Sequence, residues 1–183
     1  RGNRETVPEN SIPSFLSTIE VGADGVELDV LMTKDGTLIV HHNYRINPHI
    51  CVHSDGSPSV STDLFPDGTD ANPELIPEIP LISALTLEQL KEYDIGSKIL
   101  KKFPEQTPLP GLRVPTLEEL FVAVAEYYEQ DEVRASREEA GDAAPPLLTF
   151  NLELKRENTR ADETAPVAVV CPAVIDLVHK HSL

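Results

Sequence analysis

Cations are scarce in this 183-residue sequence: 15 Lys and Arg stand against 31 Asp and Glu, a formal net charge of −16. Nucleic acids and anionic membrane surfaces select for basic patches, so the imbalance argues against either as the main partner. It does not exclude a small anionic substrate, because a bound divalent cation can dominate the field of a site. Long apolar runs are missing too; none approaches the roughly 20 residues that span a bilayer. A hydrophobic content of 40% suits one soluble globular domain with a sizeable core. Cysteine is nearly absent. Cys51 and Cys171 are the only two, without the close spacing of metal ligands or a redox pair, which leaves free thiols or one long-range disulfide. There is no signal-peptide pattern, no internal repeat and no heptad, although the sequence opens on Arg1 and not on Met.

What is present begins with residues 22–36, GADGVELDVLMTKDG. Val26, Leu28 and Val30 alternate with Glu27 and Asp29, the period of a β-strand, and Lys34-Asp35-Gly36 is a turn signal that closes it. Side chains two apart on a strand share a face, so the two carboxylates project together. A solvent-facing strand would explain this, and so would a cation site.

Before it, residues 11–21 predict an amphipathic helix with Ile12, Phe15, Leu16 and Ile19 on one stripe, Ser11 as N-cap and Pro13 in the first turn. After it, residues 37–42 (TLIVHH) predict a short strand ending in histidines. Residues 43–80 are rich in Pro, Gly, Ser, Asp and Asn and read as a long surface excursion. Two capping boxes, Thr86 with Gln89 and Thr116 with Glu119, open further helices, the second with Leu117, Leu120, Phe121 and Val124 as its buried stripe. Residues 131–146 read as a helix tail and linker, 147–155 (LLTFNLELK) as a strand, and 165–181 as a last helix in which Pro172 implies a kink or a late start. Strands separated by helices point to βα units and parallel strands.

The second strand repeats the device of the first: Asn151, Glu153 and Lys155 alternate with Phe150, Leu152 and Leu154. Parallel sheets covered by helices are normally apolar on both faces. Two strands with a polar row therefore predict a common polar interior near the strand ends, as at the mouth of a (β/α)8 barrel. Three carboxylates gathered there repel unless a cation is present. An all-oxygen set favours Mg²⁺ or Ca²⁺ over Zn²⁺. Lys155 offers a charge for an anionic group, and His42 a proton donor or acceptor near neutral pH. That combination suits hydrolysis of a phosphate ester.

The ordered set RGNRETVPEN, GADGVELDVLMTKDG, LIVHHN, LTLEQLKEYDIG, RVPTLEELF and FNLELK resembles the glycerophosphodiester phosphodiesterase family, over most of the chain outside 50–80 and 131–146. The resemblance implies an α/β fold of the TIM-type (β/α)8 barrel, present as approximately its N-terminal half with a loop insertion. It implies metal-dependent hydrolysis of small glycerophosphodiesters to glycerol 3-phosphate and an alcohol. By motif, it assigns Glu27, Asp29 and Glu153 to the metal, Mg²⁺ or Ca²⁺. Arg1 and Lys155 fall to the phosphate, and Glu9 and Asn10 to the family's Pro-Glu-Asn element, with Glu9 on the substrate side or simply bonding backbone. His42, rather than His41, takes the acid/base position. His41, His49, His53, His179 and His181 are expected to face solvent or to pack. Three departures stand out: no histidine precedes Arg1, Asn43 replaces an acid, and the sequence is shorter than the ~250 residues of such barrels. They lead to expectations of impaired turnover and of a fragment of a longer protein. The resemblance also implies a secreted or periplasmic location. A sphingomyelinase D-like phospholipase on a related barrel and a non-catalytic phospho-ligand-binding protein are the other readings.

Overall fold

The acid-bearing stretch forms strand β1 (Gly25–Met32) in the computed structural model, which describes residues 1–66, 69–144, 146–156 and 158–181. Residues 67, 68 and 145, which belong to the expected 43–80 excursion and 131–146 linker, lie outside the described residues. β1 is the centre of a three-stranded sheet ordered β2-β1-β5, with β2 at Leu38–Val40 and β5 at Thr149–Leu154. β5 runs parallel to β1 and β2 antiparallel to it. The antiparallel pair follows from the five residues between the strands, too few for a crossover. Thr33 N–H donates to the Thr37 carbonyl, and Gly36 at φ +84° turns the chain. The expectation of parallel strands thus holds for β1 and β5 and not for β2.

Helix α1 (Ile12–Glu20) precedes β1, capped by Ser11, whose hydroxyl accepts from Ser14 N–H. Helix α3 (Leu117–Tyr128) buries Leu117, Leu120, Phe121 and Val124, the expected stripe, behind a complete Thr116–Glu119 capping box. Helix α5 (Val167–Lys180) begins at Val167 and runs on through Pro172, burying Val170 and Val174. These three helices cover one face of the sheet, where Phe15, Val26, Leu28, Val30 and Val40 form a first core. Each fully buried side chain of this size contributes about 1.5–3 kcal/mol.

The other face carries Glu27, Asp29 and Leu31 in a row, and Leu31 opens a second core. It holds Ile39, Ile46, Cys51, Phe65, Ile79 and Leu90, among others. The excursion is therefore not simply surface. Its aperiodic sequence hides a wall, stitched by the strand pair β3 (Val52–His53) and β4 (Tyr93–Asp94), that packs on the sheet beside the acids. The Thr86–Gln89 capping box opens only one turn, α2 (Leu87–Leu90). In the expected linker, α4 (Asp131–Ala140) is a helix that buries nothing. Cys51 is buried and Cys171 half-buried, and both are free thiols.

Candidate active site

The parallel register decides which carboxylates meet. Glu27 lies opposite Asn151 and Asp29 opposite Glu153, so the polar rows of β1 and β5 fall side by side on one face. Carboxylate oxygens of Glu27, Asp29 and Glu153 all lie within 4.8 Å of one another, the geometry of a group that could hold a metal ion. Asp29 is the inner member at 1% exposure, whereas Glu27 and Glu153 are exposed.

Cations already face this cluster. Lys155 Nζ is 3.2 Å from Asp29 Oδ1 and 3.1 Å from Glu153 Oε1. Burial lowers the lysine's proton affinity, and its contacts with Glu153 and Asp29 outweigh this, leaving the ammonium pKa above its usual value. Arg1 stands on the opposite side, its Nε 3.5 Å from Asp29 Oδ2 and its Nη1 3.5 Å from Glu9 Oε1. Gly2 permits that placement. Its φ is +77°, and a Cβ there would come within 2.8 Å of three atoms of Ser14 on α1, so only glycine lets Arg1 fold against β1. Glu9 and Asn10 are buried behind Arg1, Asn10 at φ +55° with its N–H donating to the Arg1 carbonyl.

Asp29 Oδ2 is buried and accepts no hydrogen bond. A buried carboxylate oxygen left in that state costs free energy, and a cation shared with Glu27 and Glu153 would relieve it. All ligating atoms are oxygens. Both features fit a hard divalent ion.

His41 and His42 follow β2, where the strand has ended and the chain bends at His42, so strand alternation no longer sorts them. His41 is buried, takes a hydrogen bond from Asn43 N–H on Nδ1, and is held neutral by burial, its pKa pushed down to about 4. His42 is half-buried and lines, with Arg1 and Glu9, a cavity of about 620 Å³ beside the acids. Burial and then the Arg1 charge lower its pKa as well. The remaining histidines lie outside the cluster. His53 stacks on Tyr93, His49 meets Phe65 edge-on, and His181 sits 3.1 Å from Glu118. The last contact gives His181 a partner that its sequence neighbourhood did not reveal.

Arg4 was missed. Its guanidinium is 3.7 Å from Glu9 Oε2 and 4.9 Å from the centre of the Phe103 ring, and it lines the same cavity. Nothing local marks it, since Phe103 lies about a hundred residues away. Tyr44 is a second omission. Its ring lies 5.7 Å from Lys155 Nζ and 5.0 Å from the Arg160 guanidinium, and its N–H donates to Glu74. Arg45 reaches Glu163 at 2.8 Å, so the wall formed by the excursion is clasped to the segment that follows β5.

The model of the glycerophosphoryl diester phosphodiesterase family matches residues 1–171 of the chain. A glycerophosphodiester phosphodiesterase of Caldanaerobacter subterraneus subsp. tengcongensis is 33% identical over 126 residues, covering 69% of this chain and 39% of the relative. One of Bacillus subtilis is 32% identical over 133 residues, covering 70% of this chain and 36% of the relative. A crystal structure from Silicibacter pomeroyi DSS-3, provisionally assigned as a glycerophosphoryl diester phosphodiesterase, aligns with a TM-score of 0.70 and 26% identity. That alignment covers 100% of this chain and 52% of the other. A phosphodiesterase of Oleispira antarctica, solved in complex with the product sn-glycerol-3-phosphate, aligns with a TM-score of 0.58. At 21% identity, over 99% of this chain and 50% of the other, that likeness is one of fold. The chain thus spans about half of these solved structures and less than two-fifths of these two curated relatives.

Proposed function

The chain belongs to the glycerophosphoryl diester phosphodiesterase family, and from that premise we propose that its site serves metal-assisted hydrolysis of glycerophosphodiesters to sn-glycerol 3-phosphate and an alcohol. The observation that carries the reading is the meeting of Glu27, Asp29 and Glu153 across two parallel strands, with ligating oxygens within 4.8 Å. The β1–β5 pair and its helices are read as part of a TIM-type (β/α)8 barrel, with the acids at its mouth; the 0.70 alignment supports this.

Glu27, Asp29 and Glu153 would hold the ion, Mg²⁺ or Ca²⁺. Bound there, it supplies Lewis-acid polarisation of the phosphoryl oxygens. Arg1 and Lys155, on opposite sides of Asp29, would meet the remaining phosphoryl charge, and positioned cations of this kind favour the transition state, where that charge grows. Glu9 holds Arg1 and Arg4 in place at the substrate side. His42, held neutral by burial and by Arg1, is the proton carrier of the set; it takes a proton from the attacking water as the water oxygen bonds to phosphorus and the P–O bond to the alcohol breaks, and the imidazolium returns that proton to the departing alkoxide. His41 is too buried to reach a substrate.

The reading is tested by following sn-glycerol 3-phosphate release from glycerophosphocholine with and without EDTA, and in Glu27→Ala. Release that needs the metal and fails in the variant is expected. Turnover that chelation leaves unchanged would overturn the metal assignment. Detection of a cyclic phosphate product would move the chain to the phospholipase reading.

A further inference from the structure

The cavity of about 620 Å³ beside the acids extends well beyond Arg1 and His42, along residues 47–50, 58–60, 65–66 and 69–73 and the segment 98–103 between β4 and α3. Its composition runs against the chain. The sequence carries a net charge of −16, yet the cavity's described lining holds five cations (Arg1, Arg4, Lys98, Lys101 and Lys102) and only two carboxylates, Glu9 and Asp70. Both carboxylates are engaged, Glu9 with Arg1 and Arg4, and Asp70 with Lys101 at 3.1 Å. A cleft lined mainly by one sign of charge raises the potential felt by whatever occupies it.

The apolar part of the lining is equally specific in what it refuses. A quaternary ammonium is recognised by open aromatic faces and nearby acids. Phe103, the aromatic ring nearest the cations, already lies against Arg4 at 4.9 Å and Lys102 at 5.7 Å. A further cation placed there would meet two like charges. The lining also holds Ile50, Val60 and Phe65, against which a carbon skeleton can rest, and Ser59, a residue 6% exposed whose Oγ has no hydrogen-bond partner. Rotation about a single bond brings that hydroxyl toward a polar guest.

Resting on the phosphodiesterase reading above, we infer that this cavity is the subsite for the alcohol moiety of the diester, and that it takes alcohols carrying a phosphate or carboxylate in preference to choline-like alcohols. The glycerophosphoryl half sits at Glu27, Asp29, Glu153 and Lys155, and the alcohol projects past Arg1 and His42 toward Lys98, Lys101 and Lys102. The sequence separation between these lysines and the acids hides the arrangement from any local motif.

Calorimetric binding to the full chain with saturating Ca²⁺ tests it, using three probes: sn-glycerol 3-phosphate, glycerophosphocholine and glycerophosphoinositol 4-phosphate. The anionic diester is expected to bind about tenfold more tightly than the choline diester, the scale of one added charge contact. The Lys101→Glu/Lys102→Glu variant is expected to erase or invert that ratio, and Lys98→Gln, which keeps a donor for the Pro48 carbonyl, to reduce it. The ratio is read within each protein, so a general loss of affinity cancels. Equal binding of the two diesters, tighter binding of choline, or a ratio that survives both variants would overturn the subsite while sn-glycerol 3-phosphate still binds. Failure of all three probes would instead overturn the phosphodiesterase reading, and the subsite with it.

Discussion

The Lys155 ammonium, on the residue that follows β5, lies 3.2 Å from the Asp29 carboxylate of the neighbouring parallel strand β1, far away in sequence. Asp29 is therefore compensated before any ion arrives, while Glu27 and Glu153 remain open to solvent. The three acids have different duties as a result. Asp29 is held by the fold, and the other two face solvent.

Metal binding should separate them. In chelator, Glu153→Gln is expected to unfold at the same temperature as the parent, because Glu153 is exposed and its pair with Lys155 is near the surface. With millimolar Ca²⁺ or Mg²⁺ the parent should gain stability as the ion binds the native state, and the variant should gain much less. Thermal melts across a metal titration provide the measurement. Equal gains in both proteins would remove Glu153 from the ligand set.

Asp29→Asn should behave in the opposite way. It leaves Lys155 and Arg1 with a lost countercharge inside the site, and breaking a buried ion pair from one side is costly. With partial exposure of the two cations discounted, a loss of about 2 kcal/mol is expected even without metal. Urea denaturation in chelator reads it directly.

Acid should weaken the fold through His41. Its folded-state pKa is pushed down to about 4 by burial, below the ordinary value of 6.5. Between those values the unfolded chain binds a proton that the folded chain refuses, so this contribution is complete above pH 6.5 and is lost as pH falls toward 4. The expected slope is about 1.4 kcal/mol per pH unit. His41→Gln, which cannot titrate, should flatten it. Denaturation curves from pH 8 to pH 4 would show whether it does.

The α3 cap offers a purely structural control. Thr116→Ala removes the hydroxyl that accepts from Glu119 N–H, and a loss of about 1 kcal/mol is expected. Metal affinity should be unchanged, since α3 covers the face of the sheet opposite the acids.

Much of the local structure was legible because its causes are local. The period of Val26, Leu28 and Val30, the Ser11 cap and the two capping boxes each rest on residues within a few positions of one another. The 43–80 stretch was harder to read. It carries no helical or strand period because its buried residues, such as Ile46, Phe65 and Ile79, enter the second core one at a time from irregular backbone.

The sequence by itself determined that Glu27 and Asp29 share a face and that Glu153 and Lys155 share another; side-chain alternation along an extended backbone requires both. Only the tertiary structure decided that the two faces are one face. That depends on the register between β1 and β5, set by packing and backbone pairing across more than a hundred intervening residues, and a slip of one position would send Glu153 to the opposite side. The basic wall beside the acids, with Arg4 over Phe103 and Lys98 against the Pro48 carbonyl, is of the same kind. Its members come from separate segments, and nothing short of folding brings them together.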